Sequence, residues 1–132
     1  MRVLALDYGS ARCGCALSDP TGTLATPIDV VERPATRRGF ARVVELVRDR
    51  GAERVVVGLP LGLSGADTAQ TRETRAFADR LAAAVKVPVE MYDERFTTAI
   101  AARAGQARTG EDSRAAAVLL EDWLARHGGE SA

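Results

Sequence analysis

The sequence predicts an α/β fold: a five-stranded mixed sheet, an antiparallel three-strand meander plus two parallel strands, with helices on both faces. Three observations carry this. Short apolar runs broken by tight turns occupy residues 2–31. From residue 36 the hydrophobic period shifts from two to about 3.6, and helical segments alternate with strands. The later strands are short continuous apolar runs, the pattern of strands buried on both faces.

Arg2–Tyr8 reads as the first strand, ending in the turn signal Tyr8-Gly9-Ser10. Cys13–Ser18 follows after only a few residues, so the two should form an antiparallel hairpin. Asp19-Pro20-Thr21-Gly22 is a turn, and Ala25–Val31 is a third strand stopped by Pro34. Phe40, Val43, Val44 and Val47 stand at i, i+3, i+4 and i+7, so Thr36–Asp49 is an amphipathic helix ended by Gly51. Arg54–Gly58 is a buried parallel strand. Asp67–Ala84 is helical, with Phe77, Ala78, Leu81, Ala82 and Val85 on one face. Val87–Tyr92 is the fifth strand and Thr97–Ala104 a short helix. Thr109–Glu111 reads as a loop, and Asp112–Arg126 as a last helix burying Ala115, Ala116, Leu119, Leu120 and Trp123. A meander feeding two crossovers gives the mixed sheet. Residues 1–127 are expected to form one domain, and 128–132 a frayed tail.

Composition narrows the function. The chain has 132 residues, 46% hydrophobic and 27% charged, ordinary for a globular domain. No apolar run approaches the length of a membrane span, and no signal-peptide pattern opens the chain, so a cytoplasmic protein is expected, with no membrane partner. Eighteen basic residues balance eighteen acidic ones, so nucleic-acid contact must come from a local patch. Cys13 and Cys15, with the distant His127, do not form a zinc-binding pattern; they read as small core residues. His127 reads as a solvated helix-end residue and Trp123 as core.

Asp7 ends the first strand, Asp93 and Glu94 follow the fifth, and Asp112 opens the last helix. The C-terminal ends of parallel strands are where open α/β sheets place ligands. Asp112 starts the stripe of Ala115, Ala116 and Leu119, which faces the sheet. Three carboxylates from distant segments can therefore converge. Such a cluster needs a compensating cation, and hard oxygens select Mg2+ or Mn2+. Two such ions can activate water and stabilise a leaving oxygen in phosphodiester cleavage. Each acid also suits a plainer role. Asp7 fits a turn aspartate, Glu94 an ion pair with Arg95 or a cap, and Asp112 a helix N-cap.

Four separated segments resemble one family. Leu6–Asp19 resembles its opening hairpin, Asp-x-Gly-x-x-Arg-x-Gly closed by Ser-Asp. Val57-Gly58-Leu59-Pro60-Leu61 with Gly65 is similar to its second motif. Asp93-Glu94-Arg95-Phe96-Thr97-Thr98 is similar to its third. Asp112-Ser113-Arg114-Ala115-Ala116, with Leu119-Leu120 and Trp123-Leu124, resembles its last helix. The chain is identified on these motifs as a member of the YqgF family, described as pre-16S ribosomal RNA nucleases and formerly as Holliday junction resolvases. The match covers essentially the whole chain. Gly62-Leu63-Ser64 and Cys13 depart from the family pattern.

The resemblance implies a ribonuclease-H-like fold and a metal-dependent endonuclease that trims the 5′ end of precursor 16S ribosomal RNA in the bacterial cytoplasm. It maps the catalytic, metal-binding acids onto Asp7, Glu94 and Asp112, with Mg2+ or Mn2+, two ions, as cofactor. Substrate contacts fall on Gly9, Arg12, Gly58, Pro60, Arg95, Thr97 and Thr98. Glycine lets backbone or phosphate approach, arginine forks onto phosphate oxygens, and Thr97 and Thr98 open a helix. The expected partner is nucleic acid, precursor rRNA, with the ribosomal small subunit as a further partner. The alternative substrate is branched DNA, which would demand a symmetric dimer. An ATP-binding domain and a non-catalytic RNA-binding factor are the remaining readings. The first needs a second lobe, and the second leaves the three acids without a task.

Overall fold

The computed structural model describes residues 1–61, 65–94 and 109–127, except for the side chains of 109–112. Along the described chain run β1 (Val3–Asp7), β2 (Arg12–Ser18), β3 (Ala25–Glu32), α1 (Arg37–Asp49), β4 (Arg54–Leu59), α2 (Ala69–Ala84), β5 (Val89–Asp93) and α3 (Thr109–His127). The five strands form one sheet in the order β3-β2-β1-β4-β5. The first three pair antiparallel, and β1, β4 and β5 run parallel. The expected mixed sheet with central β1 is what the chain adopts.

The alternation of side chains divides the core in two. Leu4, Leu6, Val55 and Val57 face α1 and α2, where Val43, Leu46, Val47, Phe77 and Leu81 meet them. Val3, Ala5, Ala16 and Val56 face α3 and meet Ala116, Leu119, Leu120 and Trp123. Cys13 and Cys15 are buried in the first layer and are not joined by a disulfide, as their size and spacing suggest.

α3 runs antiparallel to the three parallel strands. Near its C-terminus Trp123 Nε1 donates to Glu90 Oε2 at 3.2 Å, at the start of β5. At its other end Ser113 Oγ donates to the Asp29 carbonyl of β3 at 2.6 Å. The N-terminal turn of α3 therefore lies at the C-terminal ends of β1, β4 and β5.

The structure moves several expected boundaries. β5 starts at Val89 rather than Val87, because Pro88 has no N–H for a ladder; its carbonyl accepts from Val55 N at 2.9 Å. α2 starts after Thr68, whose side chain and Thr71 form a reciprocal cap, while Asp67 pairs with Arg75 at 3.2 Å. Thr109–Glu111 is not a loop but the first turn of α3. Gly110 was the misleading signal. A glycine is tolerated in a first turn, and the acids that follow it suit the positive end of the helix dipole. His127 is half-buried rather than solvated: its ring stacks on Trp123, with centroids 4.3 Å apart. The short helix expected over Thr97–Ala104, the Gly62-Leu63-Ser64 loop and the tail 128–132 lie outside the described residues. No helix among those described is long and apolar enough to cross a membrane.

Candidate active site

Asp7 is the last residue of β1 and pairs with Gly14 of β2. One step earlier, Leu6 pairs with Val57 of β4, so Asp7 and Gly58 stand side by side at the ends of neighbouring parallel strands. Alternation puts Asp7 on the face of Val3 and Ala5, beneath α3. It is buried. Asp7 is thus a strand residue rather than part of the turn that follows.

Glu94 follows the last residue of β5 and is only 1% exposed. Its neighbours explain this. Gly58 pairs with Tyr92, and a Cβ added to Gly58 would stand 3.0 Å from the Glu94 Cδ and 3.1 Å from Leu119 Cδ2. The Glu94 side chain therefore lies over Gly58 and beneath α3, on the face that carries Asp7. Carboxylates this far from water are costly unless charge or hydrogen bonds compensate them.

Asp112 lies within the first turn of α3, three residues after its first residue, Thr109. That excludes the N-cap role for Asp112. It precedes Leu119 by seven residues and so falls on nearly the same stripe, within about 20°. The backbone thus brings the third acid to the same end of the same face; its side chain is outside the described residues. Among the described residues no three metal-binding side chains cluster. Asp7 and Glu94 are the two acids of the site whose side chains are described.

The substrate-contact candidates divide. Gly58 has its missing side chain's space filled by Glu94, a packing role that the strand pattern does not reveal. A Cβ on Gly9 would stand 2.9 Å from the Arg12 carbonyl, so the hairpin itself needs this glycine. Arg12 opens β2 opposite Glu32, half-buried. The Pro60 carbonyl accepts from Thr71 Oγ1 at 2.6 Å, which ties the strand exit to α2. Arg95, Thr97 and Thr98 lie outside the described residues.

Two residues that the sequence patterns did not single out secure the hairpin. Glu73 of α2 accepts from Tyr8 Oη at 2.6 Å and from Ser10 Oγ at 3.3 Å, and Gln70 Nε2 donates to the Tyr8 carbonyl at 3.3 Å. Burial, then the Glu73 carboxylate, pushes the Tyr8 phenol well above its usual pKa. Helical spacing could have shown it: Glu73 stands four residues before Phe77, a charge on the core stripe.

Residues 1–126 match the model of the family described as "RuvX: Holliday junction resolvase". The chain belongs to the RuvX family. RuvX and YqgF denote one family, so the resemblance drawn from four motifs is borne out. Two curated relatives bear the name "Putative pre-16S rRNA nuclease". One, from Maridesulfovibrio salexigens, is 38% identical over 96% of this chain and 99% of its own length. Another, from Anaeromyxobacter sp., is 40% identical over 94% of this chain and 96% of its own. The Thermus thermophilus RuvC structure superimposes with a TM-score of 0.59 at 19% identity, covering 97% of each chain. That likeness establishes the ribonuclease-H-like fold. As a RuvX member the chain is a nuclease, a hydrolase acting on nucleic acid.

Proposed function

We propose that this chain is a divalent-metal-dependent endonuclease acting on precursor 16S ribosomal RNA during maturation of its 5′ end, in the cytoplasm. The observation that carries the reading is the pair of buried acids, Asp7 and Glu94, on one face around Gly58, at the strand ends reached by the first turn of α3. The names of the curated relatives support the substrate.

The donor set fits a hard divalent cation. Both described side chains are carboxylates, and the space over Gly58 is kept free of any Cβ. Asp7, Glu94 and Asp112 would hold Mg2+ or Mn2+, two ions, between them. Such ions supply Lewis-acid activation of the attacking water and charge stabilisation of the leaving oxygen. The chain's own residues do the rest. β1 and β5 fix the two carboxylates from rigid strand ends, and the Glu73–Tyr8 bond holds the hairpin beside Asp7. Arg12, Arg95 and the Thr97–Thr98 segment are proposed to receive substrate phosphates, with Gly9, Gly58 and Pro60 shaping the backbone around them. The small ribosomal subunit is the expected setting for the substrate.

The family description favours a second reading, a resolvase of branched DNA. One experiment separates them. Purified protein is incubated with precursor 16S rRNA and with four-way junction DNA, each with Mn2+ and with chelator. Mn2+-dependent cleavage of the RNA near its 5′ end is expected. Cleavage of the junction alone would replace rRNA with DNA as substrate, and cleavage in chelator would overturn the metal site.

A further inference from the structure

We propose that the groove between the end of β3 and the first two turns of α1 holds the phosphate backbone of the substrate strand flanking the reacting phosphodiester. This rests on the nuclease reading above. The groove measures about 690 Å³ and is lined by Glu32, Arg33, Thr36, Arg38, Arg42 and Glu45, among others.

Its place in the sheet ties it to the acids. Asp7 pairs with Gly14, and Gly14 with Val30. The row of Val30 is thus two strands from Asp7, roughly 10 Å. β3 runs parallel to β1, so Glu32 and Arg33 continue toward the end of the sheet where Asp7 and Glu94 lie. At about 3.4 Å of axis per phosphate in one duplex strand, that separation is about three phosphates, and the path turns round the edge strand β3, because α1 packs on the face opposite the acids.

Its charge selects the occupant. The whole chain is neutral. At this corner Arg33, Arg37 and Arg38 are exposed, and among the described residues none has a carboxylate within ion-pair distance. Glu32 is the acid beside them. One turn further along α1, Arg42 is already engaged by Asp29 at 2.9 Å and by Glu45. Arg37 and Arg38 occupy the first turn of α1, which carries no acid. Cations there oppose the helix dipole, an arrangement that a bound anion relieves. Guanidinium groups match phosphate oxygens in forked geometry.

The corner is also held in place. Arg33 has φ 44°, uncommon for a side-chain-bearing residue. Its N–H donates to the Ala11 carbonyl at 2.9 Å, and its own carbonyl accepts from Thr36 N at 3.1 Å and Thr36 Oγ1 at 2.7 Å. Arg33 is thereby tied to the hairpin that carries Arg12.

The test is binding in chelator, where cleavage is off. A duplex two helical turns long, as RNA and as DNA, is titrated with wild type, with the double variant Arg37→Glu/Arg38→Glu, and with Arg48→Glu. Arg48, at the far end of α1 and paired with Asp49, serves as the charge control. The double variant is expected to bind both duplexes at least about tenfold more weakly. The log–log salt slope should fall by about 0.9 for each phosphate that is no longer neutralised. Arg48→Glu should bind like wild type. The double variant should melt no lower than wild type, because both residues are exposed and acids suit the first turn of a helix, so that its lost affinity is not lost folding. Unchanged affinity and slope in the double variant would overturn the groove even if cleavage is found. Lost affinity in a protein that cleaves nothing under any condition would keep the groove and sink the nuclease reading.

Discussion

The carboxyl carbon of Glu94 lies 3.0 Å from where a Cβ of Gly58 would be, so the glycine of β4 and the acid after β5 share one space. Gly58→Ala is therefore expected to displace Glu94 as well as crowd Leu119. The stability cost should be about 1–3 kcal/mol, typical of overpacking. Cleavage should fall far more than stability does, about a hundredfold, as when a positioned electrostatic group is lost. Melting and initial rates on the same preparation check this. An Ala variant that cleaves normally would show that Glu94 has no catalytic task.

Asp7→Asn and Glu94→Gln keep shape and remove charge. Each is expected to lower cleavage by at least about 10²-fold while leaving RNA affinity nearly intact, because the phosphate contacts are proposed to fall on arginines. Melting curves with chelator and with Mn2+ supply the independent readout. A ligand present at 100 times its Kd stabilises by about 2.7 kcal/mol. Mn2+ should raise the wild-type melting temperature clearly and that of either variant much less. Equal Mn2+ effects on all three proteins would remove both acids from the metal site.

Tyr92 gives a pH dependence whose sign can be worked out. Burial, then its hydrogen bond to Asp122 at 2.6 Å, pushes the phenol up to about 12 from an ordinary value of 10.0. A group with a raised folded pKa contributes stability that is complete below its unfolded pKa and lost as pH climbs to the folded one. The contribution is therefore present below pH 10 and disappears between about pH 10 and 12. Denaturant melts across that window should show a steep loss in wild type and a shallower one in Tyr92→Phe. Identical slopes would mean that Tyr92 does not titrate differently in the folded state.

Gly39→Ala reverses the usual helix rule. Alanine inside a helix normally gains about 1 kcal/mol over glycine. Here a Cβ would meet the Arg33 carbonyl oxygen at 2.1 Å and that of Glu32 at 2.6 Å, both backbone atoms that cannot swing aside. A net loss of about 1–3 kcal/mol is expected by chemical denaturation. A neutral or stabilising result would show that the β3–α1 corner relaxes freely.

The sheet and helices were legible because hydrophobic period is a local signal. The run Arg54–Gly58 and the stripe Phe40–Val47 each announce one element, and their order leaves few topologies. What stayed hidden depends on partners far along the chain. Nothing next to Gly58 in sequence says that Glu94 fills its missing side chain. Nothing beside Tyr8 says that Glu73 receives its hydroxyl. The start of α3 was hidden by Gly110, a breaker in most helical positions and harmless in a first turn. The four motifs named the family without fixing these contacts, because a motif preserves chemistry and leaves its packing unstated.

The antiparallel course of α3 has a consequence for when the site comes into being. Asp7 belongs to β1, Glu94 to a segment made much later, and Leu119, which closes over Glu94, to α3, made later still. These pairings are distant in sequence and form slowly relative to local structure. A chain emerging from the ribosome N-terminus first holds its hairpin early, yet the carboxylates gain their shared roof only when α3 docks. Synthesis next to ribosomal RNA, the proposed substrate class, therefore proceeds with the cutting site unassembled until translation has supplied α3.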